Sequence, residues 1–197
     1  MQIHLAHFDR TTSACLRIFE AQLSPSELMR YRRFLRKDRA QQFLIGRGLL
    51  RRMLATHLDL PPEQIPLLEQ ANQAPRLMLA HSQTLSFSIS HSREWVACCV
   101  CADGKIGLDI EVIDTGREIL ELAERCFDAS LVQELQALSA EARVDHFYQC
   151  WTAHEAQVKL GEACLELRHV KHPNLAIALC SDQALVSMPE LIVVDLE

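Results

Sequence analysis

Four side chains in this sequence are spaced for chemistry. Asp109 and Glu111 lie two apart in Gly107-Leu-Asp-Ile-Glu111, and Glu155 and Lys159 lie four apart in Trp151-Thr-Ala-His-Glu-Ala-Gln-Val-Lys159. Residues two apart on a strand point the same way, and residues four apart on a helix share a face. The neighbours of Asp109 and Glu111 on their face are small or apolar rather than lysines. That suits a hard divalent cation such as Mg²⁺, which takes oxygen ligands and often only one or two carboxylates. It suits an ordinary half-solvated strand equally well. For Glu155 and Lys159 the plain alternative is a solvent ion pair worth a few tenths of a kcal/mol. Trp151 and Val158 on the same face argue against it, because they imply partial burial.

Two further groups carry charge or hydrogen bonds suited to phosphate. His91 stands between Ser90 and Ser92; taken alone it is a loop residue, but flanking hydroxyls and backbone N–H groups can bind phosphate oxygens. Between Arg30 and Arg52 the chain carries nine Arg or Lys residues and one acid, Asp38. Arg30, Arg33, Arg36 and Lys37 can surround a phosphate, since arginine forks bind its oxygens bidentately; the alternative is a solvated helix face. Taken together, three carboxylates, a histidine, a lysine and an arginine cluster describe a site for a metal-bound pyrophosphate. Neither a Walker A loop nor GxGxxG occurs, so neither of those cradles holds it.

The elements that must position these groups follow from patterning. Residues 95–112 are two apolar, strand-forming runs around Asp103-Gly104. Asp-Gly is a strong hairpin signal, because both central residues of a type I′ turn need φ > 0. Pairing Ala102 with Lys105 puts Cys98 opposite Asp109 and Val96 opposite Glu111. One face then carries Trp95, Ala97, Cys99, Cys101, Ile106, Leu108, Ile110 and Val112. The other carries Val96, Cys98, Val100, Gly107, Asp109 and Glu111, with His91 near the Glu111 end.

Further strands are expected at 3–8, 65–68, 76–79 and 85–90, with a loop at 70–75, and at 165–170, 174–179 and 191–196. Ser24-Pro25-Ser26-Glu27 reads as a capping box with Pro at the first helical position. Helices are expected over 39–57, 119–126, 130–138 (capped by Asp128) and 142–161 (closed by Gly161). Each half thus holds a long helix followed by short strands.

At 197 residues and 49% hydrophobic the chain fits one domain, or two small halves packed together, with a real core. A net charge of −6 gives no global signal for nucleic acid. No apolar run reaches the ~18 residues that span a bilayer, and the first ten residues do not read as a signal peptide. The eight cysteines are scattered without a CxxC pair, which predicts reduced, mostly buried thiols in a cytoplasmic protein.

Three ordered blocks resemble the Sfp-type 4′-phosphopantetheinyl transferases: Phe87-Ser-Ile-Ser-His-Ser92, Gly107-Leu-Asp-Ile-Glu111 and Trp151-Thr-Ala-His-Glu-Ala-Gln-Val-Lys159. Arg30 to Phe34, Gly46-Arg47-Gly-Leu-Leu-Arg51 and Cys126-Phe127 support them, so the resemblance covers roughly residues 26–165. It implies an α+β fold of two similar halves, about 1–101 and 102–197, related by a pseudo-twofold. Each half would be a small antiparallel sheet packed with a long helix, with coenzyme A bound at the junction. It implies transfer of the phosphopantetheine arm of coenzyme A to a serine of an apo acyl or peptidyl carrier protein, by a monomer. Asp109, Glu111 and Glu155 would hold Mg²⁺ (or Mn²⁺), Glu155 would be the base, and Lys159 would meet the leaving 3′,5′-ADP. Arg30, Arg33, Arg47, Pro75, Ser90, His91 and Lys159 would bind coenzyme A. The family's Lys before the helix glutamate is His154 here, and its Gly-Lys-Pro loop is Gln73-Ala74-Pro75. A degenerate homologue that binds coenzyme A or a carrier without transfer is the alternative.

Overall fold

Two long helices, each laid on its own sheet, frame the molecule. The structure, a computed structural model, describes residues 1–70, 73–78 and 85–197. The elements in order are β1 (Gln2–His7), α1 (Ser13–Ala21), α2 (Pro25–Tyr31), α3 (Lys37–Leu58), β2 (Leu67–Leu68) and β3 (Arg76–Leu77). Then come β4 (Ser86–Ser92), β5 (Trp95–Cys101), β6 (Ile106–Val112), α4 (Ile119–Cys126), α5 (Ala129–Ala137), α6 (Ala140–Leu160), β7 (Glu166–His169), β8 (Leu175–Ser181) and β9 (Glu190–Val193). This is an α+β fold of six α-helices and small sheets among the described residues. The expected loop 70–75 and the end of the expected strand 76–79 lie partly outside them.

Local chemistry sets the helix ends. Ser24 accepts from the Glu27 amide while the Glu27 carboxylate accepts from the Ser24 amide, the expected capping box, with Pro25 at the first turn. Asp128 caps α5, and Gly161 closes α6 at φ +70°. Helix α1 is missing from the sequence expectation. It starts on Thr12, whose hydroxyl accepts from the Cys15 amide, and buries Cys15 and Phe19 at helical spacing.

The first sheet runs β4-β5-β1-β9 and the second β6-β8-β7. This corrects the expected hairpin of 95–112. Strand β5 already has β4 on one edge and β1 on the other, so it has no free ladder for β6, which pairs with β8 instead. The tight turn is real but joins two sheets: Gly104 sits at φ +84°, and a Cβ there would lie 2.6 Å from Asp182 Oδ1. Asp182 also accepts from the Lys105 amide at 2.7 Å. The actual hairpin is β4–β5, turning at Arg93-Glu94 with Arg93 left-handed at φ +49°. Nor is the first sheet purely antiparallel, because β9 pairs with β1 in parallel.

The expected face alternation nonetheless holds. Ile3, Leu5, Ala97 and Cys99 of the first sheet meet Ile106, Leu108, Ile110, Leu175, Ile177 and Leu179 of the second in one dry core. Val96, Cys98 and Val100 turn the other way, into a core shared with Ile45, Leu49 and Leu50 of α3. Gly107 turns towards α6, where an added Cβ would overlap the Ala156 carbonyl oxygen. The layers are therefore α3, first sheet, second sheet, α6. Truncating a fully buried side chain between the sheets, such as Leu108, costs about 2–5 kcal/mol.

The seam between the sheets is made by side chains. Ser88, Ser90 and Ser92 of β4, all buried, accept through their Oγ atoms from the amides of Leu108 (2.9 Å), Ile110 (3.2 Å) and Val112 (3.0 Å) of β6. An alternating row of hydroxyls thus satisfies the edge of β6, where unpaired N–H groups would be costly. All eight cysteines are free thiols. No helix among the described residues is long and apolar enough to cross a membrane.

Candidate active site

The seam delivers the acidic pair. Asp109 and Glu111 project from β6 on the side that faces α6, beside the serines of β4. Asp109 is 5% exposed. Its Oδ1 accepts from Ser90 Oγ at 2.8 Å and from Lys159 Nζ at 2.7 Å, while its Oδ2 is buried without a hydrogen-bond partner. Lys159 Nζ also donates to Ser90 Oγ at 2.9 Å and to the Leu108 carbonyl at 3.1 Å. The lysine pairs with Asp109 and not with Glu155. Glu111 accepts from Ser92 Oγ at 2.7 Å, and burial raises its carboxyl above the ordinary range.

The α6 face differs from the expectation. The buried stripe is Tyr148, Thr152, Ala156 and Leu160, whereas Val158 is 61% exposed. Trp151, Glu155 and Lys159 therefore flank the packed stripe at the edge of the core. Glu155 is half-buried one turn before Lys159, and its carboxylate makes no hydrogen bond or ion pair among the described residues.

Above this floor a cavity of about 510 Å³ opens between α2, α3, β4 and α6. Arg30, Arg47, Pro75, His91 and Lys159 line it. Ser90 lies beneath the wall, its hydroxyl committed to Asp109 and Lys159, and Arg33 is exposed outside it. Arg36 turns away to pair with Asp38. Gln73 and Ala74 also line the cavity, whereas His154 is exposed.

Arg39, Gln42, Phe43, Gly46 and Arg47 form one wall of the cavity. Their spacing of three, one, three and one is a helix face, a signal for Arg39 and Gln42 that lies within the expected helix 39–57 but that the basic run around it obscures. Arg39 Nη1 lies 2.9 Å from His91 Nε2 and 3.1 Å from Nδ1. Burial, then this guanidinium, lower the His91 pKa to about 4, so the imidazole is neutral near pH 7. A second cavity of about 330 Å³ shares Arg39, Gln42 and His91 and contains Ser92, Glu111 and Arg117. His91 thus stands near Glu111, as the pattern predicted.

Two carboxylates on one strand face, one with a buried oxygen lacking a partner, fit a hard cation. Glu155 does not complete a cluster: among the described residues no three His, Cys, Asp or Glu side chains come together as a metal site. In the structure the Lys159 ammonium supplies the positive charge at Asp109.

Comparison with known proteins places this geometry in a lineage. Residues 10–102 match the family model of the 4′-phosphopantetheinyl transferase N-terminal region, and residues 105–183 that of the 4′-phosphopantetheinyl transferase superfamily. A 4′-phosphopantetheinyl transferase of Bacillus subtilis is 32% identical over 169 residues, 85% of this chain and 73% of that protein. The transferase Sfp of Bacillus subtilis is 30% identical over 141 residues, 72% of this chain and 61% of its own length. A Synechocystis protein named for the same activity is 34% identical over 141 residues, 72% of this chain and 57% of its own. The chain thus spans less than two thirds of the length of some of these relatives. Both halves nevertheless match in order across the seam that carries Asp109, Lys159 and His91, and the chain belongs to the 4′-phosphopantetheinyl transferase family.

Proposed function

We propose that this chain moves the 4′-phosphopantetheine arm of coenzyme A to a serine hydroxyl of an apo acyl or peptidyl carrier protein, with Mg²⁺, releasing 3′,5′-ADP. One observation carries the reading: a cavity lined by Arg30, Arg39, Arg47 and His91 ends on a floor where Asp109, Ser90 and Lys159 share hydrogen bonds. Guanidinium groups and a neutral imidazole bind phosphate oxygens, and the floor faces the pyrophosphate. The long helices α3 and α6, each on its own sheet, support the pseudo-twofold relation of two halves.

The reaction forms a bond from the serine Oγ to the β-phosphorus and breaks the bond from that phosphorus to the oxygen of 3′,5′-ADP. Glu155 takes the serine proton. Its half-buried carboxylate has no competing partner among the described residues, which suits a base. Lys159 swings from Asp109 to the leaving phosphate and neutralises it. When bound, Mg²⁺ would be held by Asp109 and Glu111 and would supply positive charge against the pyrophosphate.

The decisive experiment incubates the protein with several apo-carriers, coenzyme A and Mg²⁺ and weighs the carriers. A gain of one phosphopantetheine is expected; no gain on any carrier would sink the enzyme reading. Glu155→Gln should slow transfer by about 10²–10⁴-fold with an unchanged circular dichroism spectrum. Retained coenzyme A binding without transfer in the parent protein would favour the binding-only alternative.

A further inference from the structure

Two of the three arginines that line the cavity are held by an acid that the proposed chemistry does not use. Glu69 follows β2 directly, and its side chain is only 8% exposed. One of its oxygens takes Arg30 Nη1 at 2.5 Å. The other takes Arg47 through Nε at 3.0 Å and through Nη2. Arg47 Nε is also 3.2 Å from Glu27 Oε1, and Glu27 in turn pairs with the buried Arg51. Arg30 and Arg47 are stacked as well as paired. The Arg30 guanidinium lies 5.6 Å and that of Arg47 4.7 Å from the centre of the Phe43 ring, which also packs on Phe34 and Tyr31.

We propose that Glu69 is a positioning residue that sets how the cavity reads the nucleotide end of its ligand. It fixes the Arg30 and Arg47 forks against Phe43 and fastens them to the segment that carries Gln73, Ala74 and Pro75 into the cavity wall. Three features favour this over a merely structural ion pair. Both arginines and Gln73, Ala74 and Pro75, a few positions after Glu69, line the same cavity. Each oxygen of Glu69 is given to a different arginine, so the carboxylate spaces the two groups rather than neutralising one. And the segment offers Ala74, an uncharged residue, to the wall, so the arginines there come from α2 and α3. The acid has an opposite effect on bare charge, because a carboxylate beside the guanidinium groups damps their attraction for any anion. Geometry and charge are therefore separable by choice of ligand.

This inference rests on the coenzyme A reading of the cavity. The test is calorimetric titration of the full chain with 3′,5′-ADP and with inorganic pyrophosphate, without divalent cation. In Glu69→Gln the nucleotide should bind about tenfold more weakly, whereas pyrophosphate should bind as tightly or a few-fold more tightly. Glu69→Asp keeps the charge but withdraws it by one methylene. It should share the nucleotide loss without any pyrophosphate gain, and it carries the test if the Gln variant fails to fold. Equal weakening of both ligands overturns the proposal, because the acid then only holds the fold. An unchanged nucleotide affinity overturns it too. If the parent protein binds no 3′,5′-ADP, the coenzyme A reading itself fails, and the inference falls with it. Parental binding with indifferent variants removes the inference alone.

Discussion

His91 shows what burial and a neighbour do to one side chain. Its imidazole sits under Arg39 with its pKa lowered to about 4. A group whose folded pKa lies below its unfolded value of ~6.5 leaves the unfolded state binding more protons across that interval, so stability falls as pH drops. The contribution is constant above about pH 6.5 and declines from there towards pH 4. His91→Gln should flatten the urea midpoint between those limits relative to the parent; parallel curves for the two proteins would refute the assignment. His91 was singled out in the sequence by its flanking hydroxyls, and it does line the cavity. The role of those hydroxyls was not legible. Ser90 and Ser92 serve the carboxylates of Asp109 and Glu111 from the next sheet, contacts across 19 positions that no local pattern encodes. Glu69 was invisible for the same reason, since its partners lie 39 and 22 residues away.

Strand β4 is the element on which the two sheets depend. Its Leu-Ser-Phe-Ser-Ile-Ser alternation reads as a half-buried strand, and the strand is there. The serine face is the buried one, however, while Phe87 and Ile89 line the cavity. Ser88→Ala keeps the volume but removes the acceptor of the Leu108 amide, leaving a buried donor unsatisfied. A loss of about 1–3 kcal/mol in urea unfolding is expected. Ser88→Thr retains the hydroxyl and should recover much of it if the methyl is accommodated. The period-two signal was reliable because side-chain alternation does not depend on which strand is the neighbour. The partner strand was misread because Asp103-Gly104 reports a turn, whereas pairing depends on which ladders other strands have already filled.

The end of the chain returns to its beginning. Strand β9 pairs with β1, and Leu196, fully buried, packs into the core under α3. The dry layer between the sheets draws side chains from β1 and β5 on one side and from β6 and β8 on the other. Residues 1–101 or 102–197 expressed alone should therefore lack a cooperative thermal transition, and co-expression should restore one; an independent, cooperative melt of either fragment would contradict the shared core. The alternation of long helices with short strands was readable from patterning, but the return of β9 to the first sheet was not, because a four-residue strand carries too little pattern to name its partner. The serine seam has one more consequence. Ser90 Oγ is at once the stitch that accepts from the Ile110 amide and the contact shared by Asp109 and Lys159. Occupancy of the site and cohesion of the sheets are then linked functions of a single oxygen atom, and linkage is reciprocal. A ligand that draws Lys159 away should change the hydrogen-exchange protection of the Ile110 amide. By the same free energy, any change that loosens that amide should alter the affinity for the ligand.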